Sequence, residues 1–358
     1  DAALLQLGGE LWAVASDPVT FTAADVGRLS VVVNANDVAV RGAVPRFFVT
    51  VLLLAPGEAT EARAGEILDQ VRRACDELGV AVIGGHSEVT PGLGHSLVVG
   101  TMLGRVEGRP IRSGGLAEGD RVGLTKWVGL EGTAILLDDL GARVETVYGE
   151  ALDGPGEAVD GQWLSVVPEA RLAAAVEGVS ALHDVTEGGV GEALYELGVA
   201  SGRFIEVDRG ALPVLESTRR LCLDLDLDPL GLIGSGALLV GCAEEAAGTL
   251  EERMTEAGIP FTWIGRAGGG AEAGSTLPRF PRDELLRLDC TDGVRAVVFD
   301  LDGTLVDSHY DWAAIRAQLG VDGSIIDSLN GLPEGEREAK WRQLERIEEK
   351  ASEEARVH

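Results

Sequence analysis

Residues 181–191 read A-L-H-D-V-T-E-G-G-V-G, an apolar run that breaks at His183-Asp184 and then opens on Gly188 and Gly189. The run from Val179 to Leu182 has strand character, and the periodic segment after the glycines has helix character. His183 and Asp184 therefore stand at a strand end, facing the first turn of a helix. Such a turn offers bare N–H groups and the positive end of a dipole to a phosphate, and an aspartate just before it can hold the accompanying cation. The same residues also suit an ordinary strand-to-helix turn in which Gly189 allows close packing. Either way the stretch sets the fold class as α/β, with strands and helices alternating on both sides of it.

Composition narrows the function. The chain has 358 residues and a formal net charge of −29, with lysine only at Lys126, Lys340 and Lys350. Nucleic acid and anionic membranes are bound through Lys and Arg, so this balance argues against both. Cys75, Cys222, Cys242 and Cys290 show no C-x-x-C spacing, which fits reduced thiols in a cytoplasmic protein. The longest apolar run, 47–55, is far short of the ~20 residues that span a bilayer. No secretory signal is visible, and with Asp1 in place of an initiator Met the first natural residues are expected to be missing.

Outward from the opening stretch, 10–16 alternate as a strand that delivers Asp17. Asp25 is a candidate N-cap for a helix over 26–43, apolar on most sides, that carries Asn34, Asn36 and Asp37. An ionised Asp37 there must be paired or metal-bound, or face a wet groove. Residues 45–55 predict a fully buried strand, and 61–78 an amphipathic helix ended by Gly79. Residues 80–83 predict a short inner strand with Gly84-Gly85-His86 as its exit, and 97–106 another strand. After a polar linker over 108–119, residues 121–125 form a strand ending at Lys126, placed either to touch phosphate or to end in solvent. Residues 138–161 suggest a loop. The acids of L-D-L-D-L-D-P-L (223–230) suit an exposed strand or turn. Strands at 204–207, 237–242 and 261–265, with a helix at 244–257, complete a second domain.

H-D-V-T-E-G-G-V resembles a loop of the AIR synthetase superfamily, which includes the hydrogenase-maturation carbamoyl dehydratase, selenophosphate synthetase and thiamine-monophosphate kinase. Further matches follow in the family's order: Ser16-Asp17-Pro18, N-D-V-A-V-R-G-A-V-P (36–45), G-G-H-S-E-V (84–89), G-L-E-G-T-A-I-L (129–136) and S-G-A-L-L (235–239). The resemblance implies two domains, 1–107 and 118–270. Strands of the first join a shared barrel in a homodimer, and the second is an α/β sandwich. It further implies that Asp1, Asp17, Asp37 and Asp184 hold magnesium on ATP and that Gly84, Gly85, Gly188 and Gly189 approach the phosphates, with His86 beside the cofactor; Lys126, by its place at a strand exit alone, is a further candidate there. The implied reaction transfers a phosphoryl group to an amide-type oxygen. A small-metabolite kinase and a non-catalytic nucleotide-binding dimer are the alternatives. The chain departs from the dehydratase pattern at His86, where that pattern has an acid, and in lacking a Pro-Arg-x-Cys tail: Pro278-Arg279-Phe280-Pro281 has no cysteine.

Beyond a linker over 271–293, a buried-strand run ends in Asp300-Leu301-Asp302-Gly303-Thr304-Leu305, which resembles motif I of the haloacid-dehalogenase (HAD) phosphohydrolases. By that resemblance Asp300 is the nucleophile and Asp302 the proton carrier of a partial, Rossmann-like segment, 294–358, whose charged end resembles cap helices. The Lys and acidic pair that complete such a site do not follow, so the segment is expected not to turn over phosphate by itself.

Overall fold

β1 (Ala3–Leu7) and β2 (Glu10–Val19) form a hairpin through Gly8 and Gly9, both at positive φ as a tight turn requires. They open a five-stranded sheet of order β1-β2-β5-β3-β4, with β3 at Ala43–Leu54, β4 at Ala81–Val89 and β5 at Leu97–Val106. The computed structural model describes residues 2–19, 25–140, 163–269 and 272–288, and the short pieces 306–307, 340 and 356–357.

Helix α1 (Val26–Ala39) is buried on almost every side, as its all-round apolar sequence demands. Asp25 stands at its N-cap without a side-chain capping bond. The helix ends at Ala39, short of residue 43, because Gly42 at φ +76 turns the chain into β3. α1 lies over β5 where two glycines, four residues apart, leave room. A Cβ on Gly100 would stand 2.6 Å from Asn34 Nδ2, and one on Gly104 would stand 3.0 Å from Val38 Cγ2. Helix α2 (Glu61–Leu78) matches its expected limits: the Thr60 side chain accepts from Arg63 N, and Gly79 closes the helix in the left-handed region.

Two strand expectations are corrected. β3 alternates, turning Phe48, Thr50, Leu52 and Leu54 inward, and is not buried on both faces. Gly84, Gly85 and His86 do not form a strand exit either. They lie inside β4, which pairs with β3 alone at the sheet's edge, and all nine of its residues are exposed, Val82, Ile83 and Val89 included.

The second half holds a six-stranded sheet of order β11-β8-β10-β6-β9-β7. Its strands are β6 (Arg121–Thr125), β7 (Val179–Asp184), β8 (Phe204–Val207), β9 (Leu238–Cys242), β10 (Phe261–Gly268) and β11 (Gly274–Ser275). Around it run α3 (Leu130–Leu140), α4 (Val167–Ala174), α5 (Gly189–Ser201), α6 (Glu216–Leu225) and α7 (Glu244–Glu256). The L-D-L-D stretch, whose acids suit an exposed strand or turn, is the end of α6 and its turn, with Asp224 and Asp226 exposed and Asp226 as a left-handed C-cap. β11 pairs with β8, residues 278–280 pack on α5, and Glu284 and Arg287 reach Asp228 and Asp226, so this part of the expected 271–293 linker packs on the second sheet's helices.

Residues Asp1–Thr291 and Asp292–His358 are separate units. Of the second, the described pieces include a two-residue pairing of Val306–Asp307 with Arg356–Val357. Asp300, Asp302 and the rest of motif I lie outside the described residues, as does Asp1.

Candidate functional site

Asp17, Asp37 and Asp184 come from three distant parts of the chain and meet within electrostatic reach. Asn34 sets the first: its Oδ1 accepts from Asp17 N at 2.9 Å, and its Nδ2 donates to the carbonyls of Asp17 (3.3 Å) and Ser30 (2.8 Å). One helical turn on, Asp37 faces the same way and shares a side-chain hydrogen bond with Asp17. Between them Asn36 reaches the other half of the molecule. Its Nδ2 donates to Leu164 O (2.9 Å) and its Oδ1 accepts from Val166 N (2.8 Å). Asp184, 4 % exposed, ends β7 and closes the group.

Burial, then the charge of Asp184, then that of Asp17, push the Asp37 carboxyl well above the usual range. Burial also raises Asp184, while His183 and Arg41 pull it back. Carboxylates that repel one another in a low-dielectric pocket invite a cation. Their hard oxygen donors fit magnesium, and they would hold it and orient the phosphates it carries. Among the described residues no three His, Cys, Asp or Glu side chains close to a coordination shell, so an ion would have to draw them inward.

Three other assignments land elsewhere. Lys126, at φ +55, is 4 % exposed and spends its ammonium inside the protein. It donates to the carbonyls of Trp163 (2.9 Å) and Ser165 (2.8 Å) and pairs with Glu169 at 2.5 Å. That leaves no donor for phosphate; the lysine latches residues 163–169 beside Asn36. Gly85 lies in the same cross-strand row as Asp17, separated from it by Gly100 and Thr50. Three strand spacings amount to ~14 Å, too far to share one ion within a chain. His86, its side chain 64 % exposed, faces Glu88 at 3.3 Å.

Gly188 (φ +73) and Gly189 (φ +62) open α5 as expected, but the chain's own tail covers this helix end. Gly188 N donates to Asp283 Oδ2 at 2.9 Å, and Glu192 accepts from Phe280 N at 2.9 Å and pairs with Arg279 at 2.5 Å. The Phe280 ring fills space that a side chain at Gly191 would need, 2.6 Å from its Cβ position. A carboxylate thus stands where phosphate was expected.

That carboxylate joins two more. Burial, with Asp283 and Glu131 adding to it, pushes Glu187 up to about 7. Burial also raises Asp283, to about 6, against the N–H groups of Leu285 and Gly188. Glu131 is raised by burial too, and its Oε2 has no hydrogen-bond partner. Carboxyls raised in the fold favour it when protonated. Stability from this group is therefore full below about pH 4 and is lost as pH rises through about 6 and about 7. Glu131→Gln is expected to raise the thermal midpoint at pH 8 and to flatten its decline between about pH 5 and about pH 8. An equal decline in the variant, followed by circular dichroism, would rule this group out as its source.

Sequence reasoning missed two residues. Arg41 sits inside the matched N-D-V-A-V-R run and lies near Asp37 and Asp184. Asp283 is brought in from 95 residues beyond Gly188, with no local signal to mark it.

Comparison with known proteins agrees with this architecture. The family model described as AIR synthase related protein, N-terminal domain, matches residues 1–106, and its C-terminal domain counterpart matches 117–277. Carbamoyl dehydratase HypE of Azotobacter vinelandii is 34 % identical over 240 residues, covering 66 % of this chain and 67 % of that protein. Thiamine-monophosphate kinase of Methanospirillum hungatei JF-1 is 30 % identical over 271 residues, covering 73 % and 82 %. The crystal structure of hydrogenase maturation protein HypE in complex with ATP superposes with a TM-score of 0.63 at 24 % identity, over 79 % of this chain and 89 % of that one, which bears on fold alone. With both domain models matched in order across most of its length, the chain belongs to the AIR synthase related proteins.

Proposed function

We propose that the chain is an ATP- and magnesium-dependent enzyme that transfers a phosphoryl group to an amide-type oxygen, as a carbamoyl dehydratase-like member of its family. The observation that carries this reading is the meeting of Asp17, Asp37 and Asp184, two acids from one domain and one from the other. Phosphoryl transfer asks for positioning and charge neutralisation more than for covalent chemistry. Mutually repelling carboxylates, tied across the domains by Asn36, provide the frame for both. When bound, magnesium would supply the charge that draws the triphosphate in.

The substrate amide is carried by another molecule in this reading. Where the dehydratase pattern has a mobile Pro-Arg-x-Cys tail, this chain has Pro278-Arg279-Phe280-Pro281, with Phe280 packed against Gly191. That packing favours a second reading, a kinase that leaves a stable phosphorylated product on a small acceptor, as the thiamine-monophosphate kinase relative suggests. Phosphorus NMR separates the two. Magnesium-ATP with an S-carbamoylated cysteine peptide is expected to release inorganic phosphate, which carries away the carbamoyl oxygen, and leave a dehydrated peptide; a new phosphoanhydride on thiamine monophosphate, without free phosphate, would replace the first reading by the second. Nucleotide binding with no turnover on either acceptor would favour a sensing dimer.

A homodimer in the cytoplasm completes the proposal. The exposed edge of β4 is suited to pairing with a second copy. Burial pushes the thiols of Cys75 and Cys222 up to about 12 and Cys242 to about 11, as inert, reduced cysteines require. Among the described residues no helix is long and apolar enough to cross a membrane. The D-L-D-G-T-L motif supports a HAD-like appendage.

A further inference from the structure

We propose that Arg41 is a positioning residue for the nucleotide, a fixed guanidinium doing beside the three aspartates what a second divalent ion would otherwise do. This rests on the nucleotide reading above and adds the charge that the carboxylates leave short.

Arg41 is half-buried in the turn after α1, four residues past Asp37. Its Nε donates to Ala2 O at 3.1 Å and its Nη1 to Ser113 Oγ at 3.3 Å. Ser113 Oγ lies 3.4 Å from Nδ1 of His183, the neighbour of Asp184, and His183 Nε2 meets Glu196 at 3.1 Å. Ala2, just before β1, and Ser113 of the interdomain segment thus hold the guanidinium, and Ser113 links it to His183 at the end of β7, beside Asp184. Burial and, more weakly, the charge of Arg112 work against its charge, while Asp184 and Asp37 sustain it.

Three carboxylates facing a triphosphate present more negative charge than one divalent ion offsets. The obvious place for a second ion is weak here. His86 is an imidazole, a poor magnesium ligand, and it lies on the exposed edge strand. Lys126 is consumed by Glu169 and two carbonyls. A planar guanidinium fork suits phosphate oxygens and cannot lose its proton at working pH.

The test uses the full chain with manganese as the probe ion, counted by electron paramagnetic resonance, and a non-hydrolysable ATP analogue measured by calorimetry. The wild type is expected to take one manganese per chain with the analogue. Arg41→Met should weaken the analogue tenfold or more while manganese alone binds as well or better, because a competing positive charge is gone. Arg41→Lys should recover part of the loss with an unchanged thermal midpoint, which keeps the test open if the methionine variant folds poorly. Two manganese per chain in the wild type, or wild-type analogue affinity in both variants, would overturn the proposal. Asp184→Asn separates the readings. If it too binds manganese and analogue normally, the nucleotide site itself is wrong; if it alone loses them, only the arginine's role falls.

Discussion

Asp37→Asn is expected to weaken magnesium-ATP binding by about tenfold or more while making the ligand-free protein more stable. The two effects share one cause. Burial and the charges of Asp184 and Asp17 hold the Asp37 carboxyl well above its usual range, so ionising it in the folded protein is unfavourable. A neutral amide of the same shape keeps a hydrogen bond to Asp17 and removes the repulsion. The gain should grow as pH rises, because a carboxyl raised in the fold costs stability only once the medium demands its charge. An ion, however, needs that charge. Calorimetry with magnesium and an ATP analogue, beside thermal melts of the ligand-free protein, reads both effects. A loss of affinity with a lowered midpoint would make Asp37 an ordinary structural residue, and unchanged affinity would remove it from the site.

Lys126→Met is expected to cost about 3–5 kcal/mol, the largest stability loss predicted for any single side chain here. Glu169, 3 % exposed, would be left with its charge buried and its partner gone, and the carbonyls of Trp163 and Ser165 would lose their donor. The double variant Lys126→Met, Glu169→Leu should recover most of the loss, since replacing a buried pair by apolar groups is often close to neutral. Urea denaturation of the three proteins gives the comparison. A single variant within about 1 kcal/mol of wild type would show the pair to be no better than an exposed one. Since the lysine holds the segment that Asn36 grips from the other side, nucleotide affinity should fall in the single variant and return with stability in the double.

The parts legible in the sequence were those in which a local rule and the tertiary environment agree. α2 shows this best: a threonine cap, apolar residues at helical spacing and a closing glycine are all encoded within twenty residues of one another. The acids at 17, 37 and 184 were readable as a group only through the family's ordered motifs, and their mutual repulsion in the structure is the physical counterpart of that order. What could not be read was non-local. Nothing around Lys126 announces that Glu169 and two carbonyls some forty residues on will consume its charge. Residues 80–83 are apolar enough to pass for an inner strand, because burial depends on which strand lies beside them and not on their own composition. The acids after Leu223 alternate as a strand would, yet α6 runs through Leu225, where the helix that Leu221 and Cys222 anchor in the core overrides the local pattern.

The open edge of β4 has a consequence for how the protein behaves in quantity. A strand nine residues long, with unpaired N–H and C=O groups along one side and charge only at Glu88 unless His86 is protonated, is a template that any extended chain can copy. In the proposed dimer a second copy would hide it; in a separate molecule it is an adhesive border. Aggregation in such a chain would begin from the folded state, at its seam, well before the core gives way.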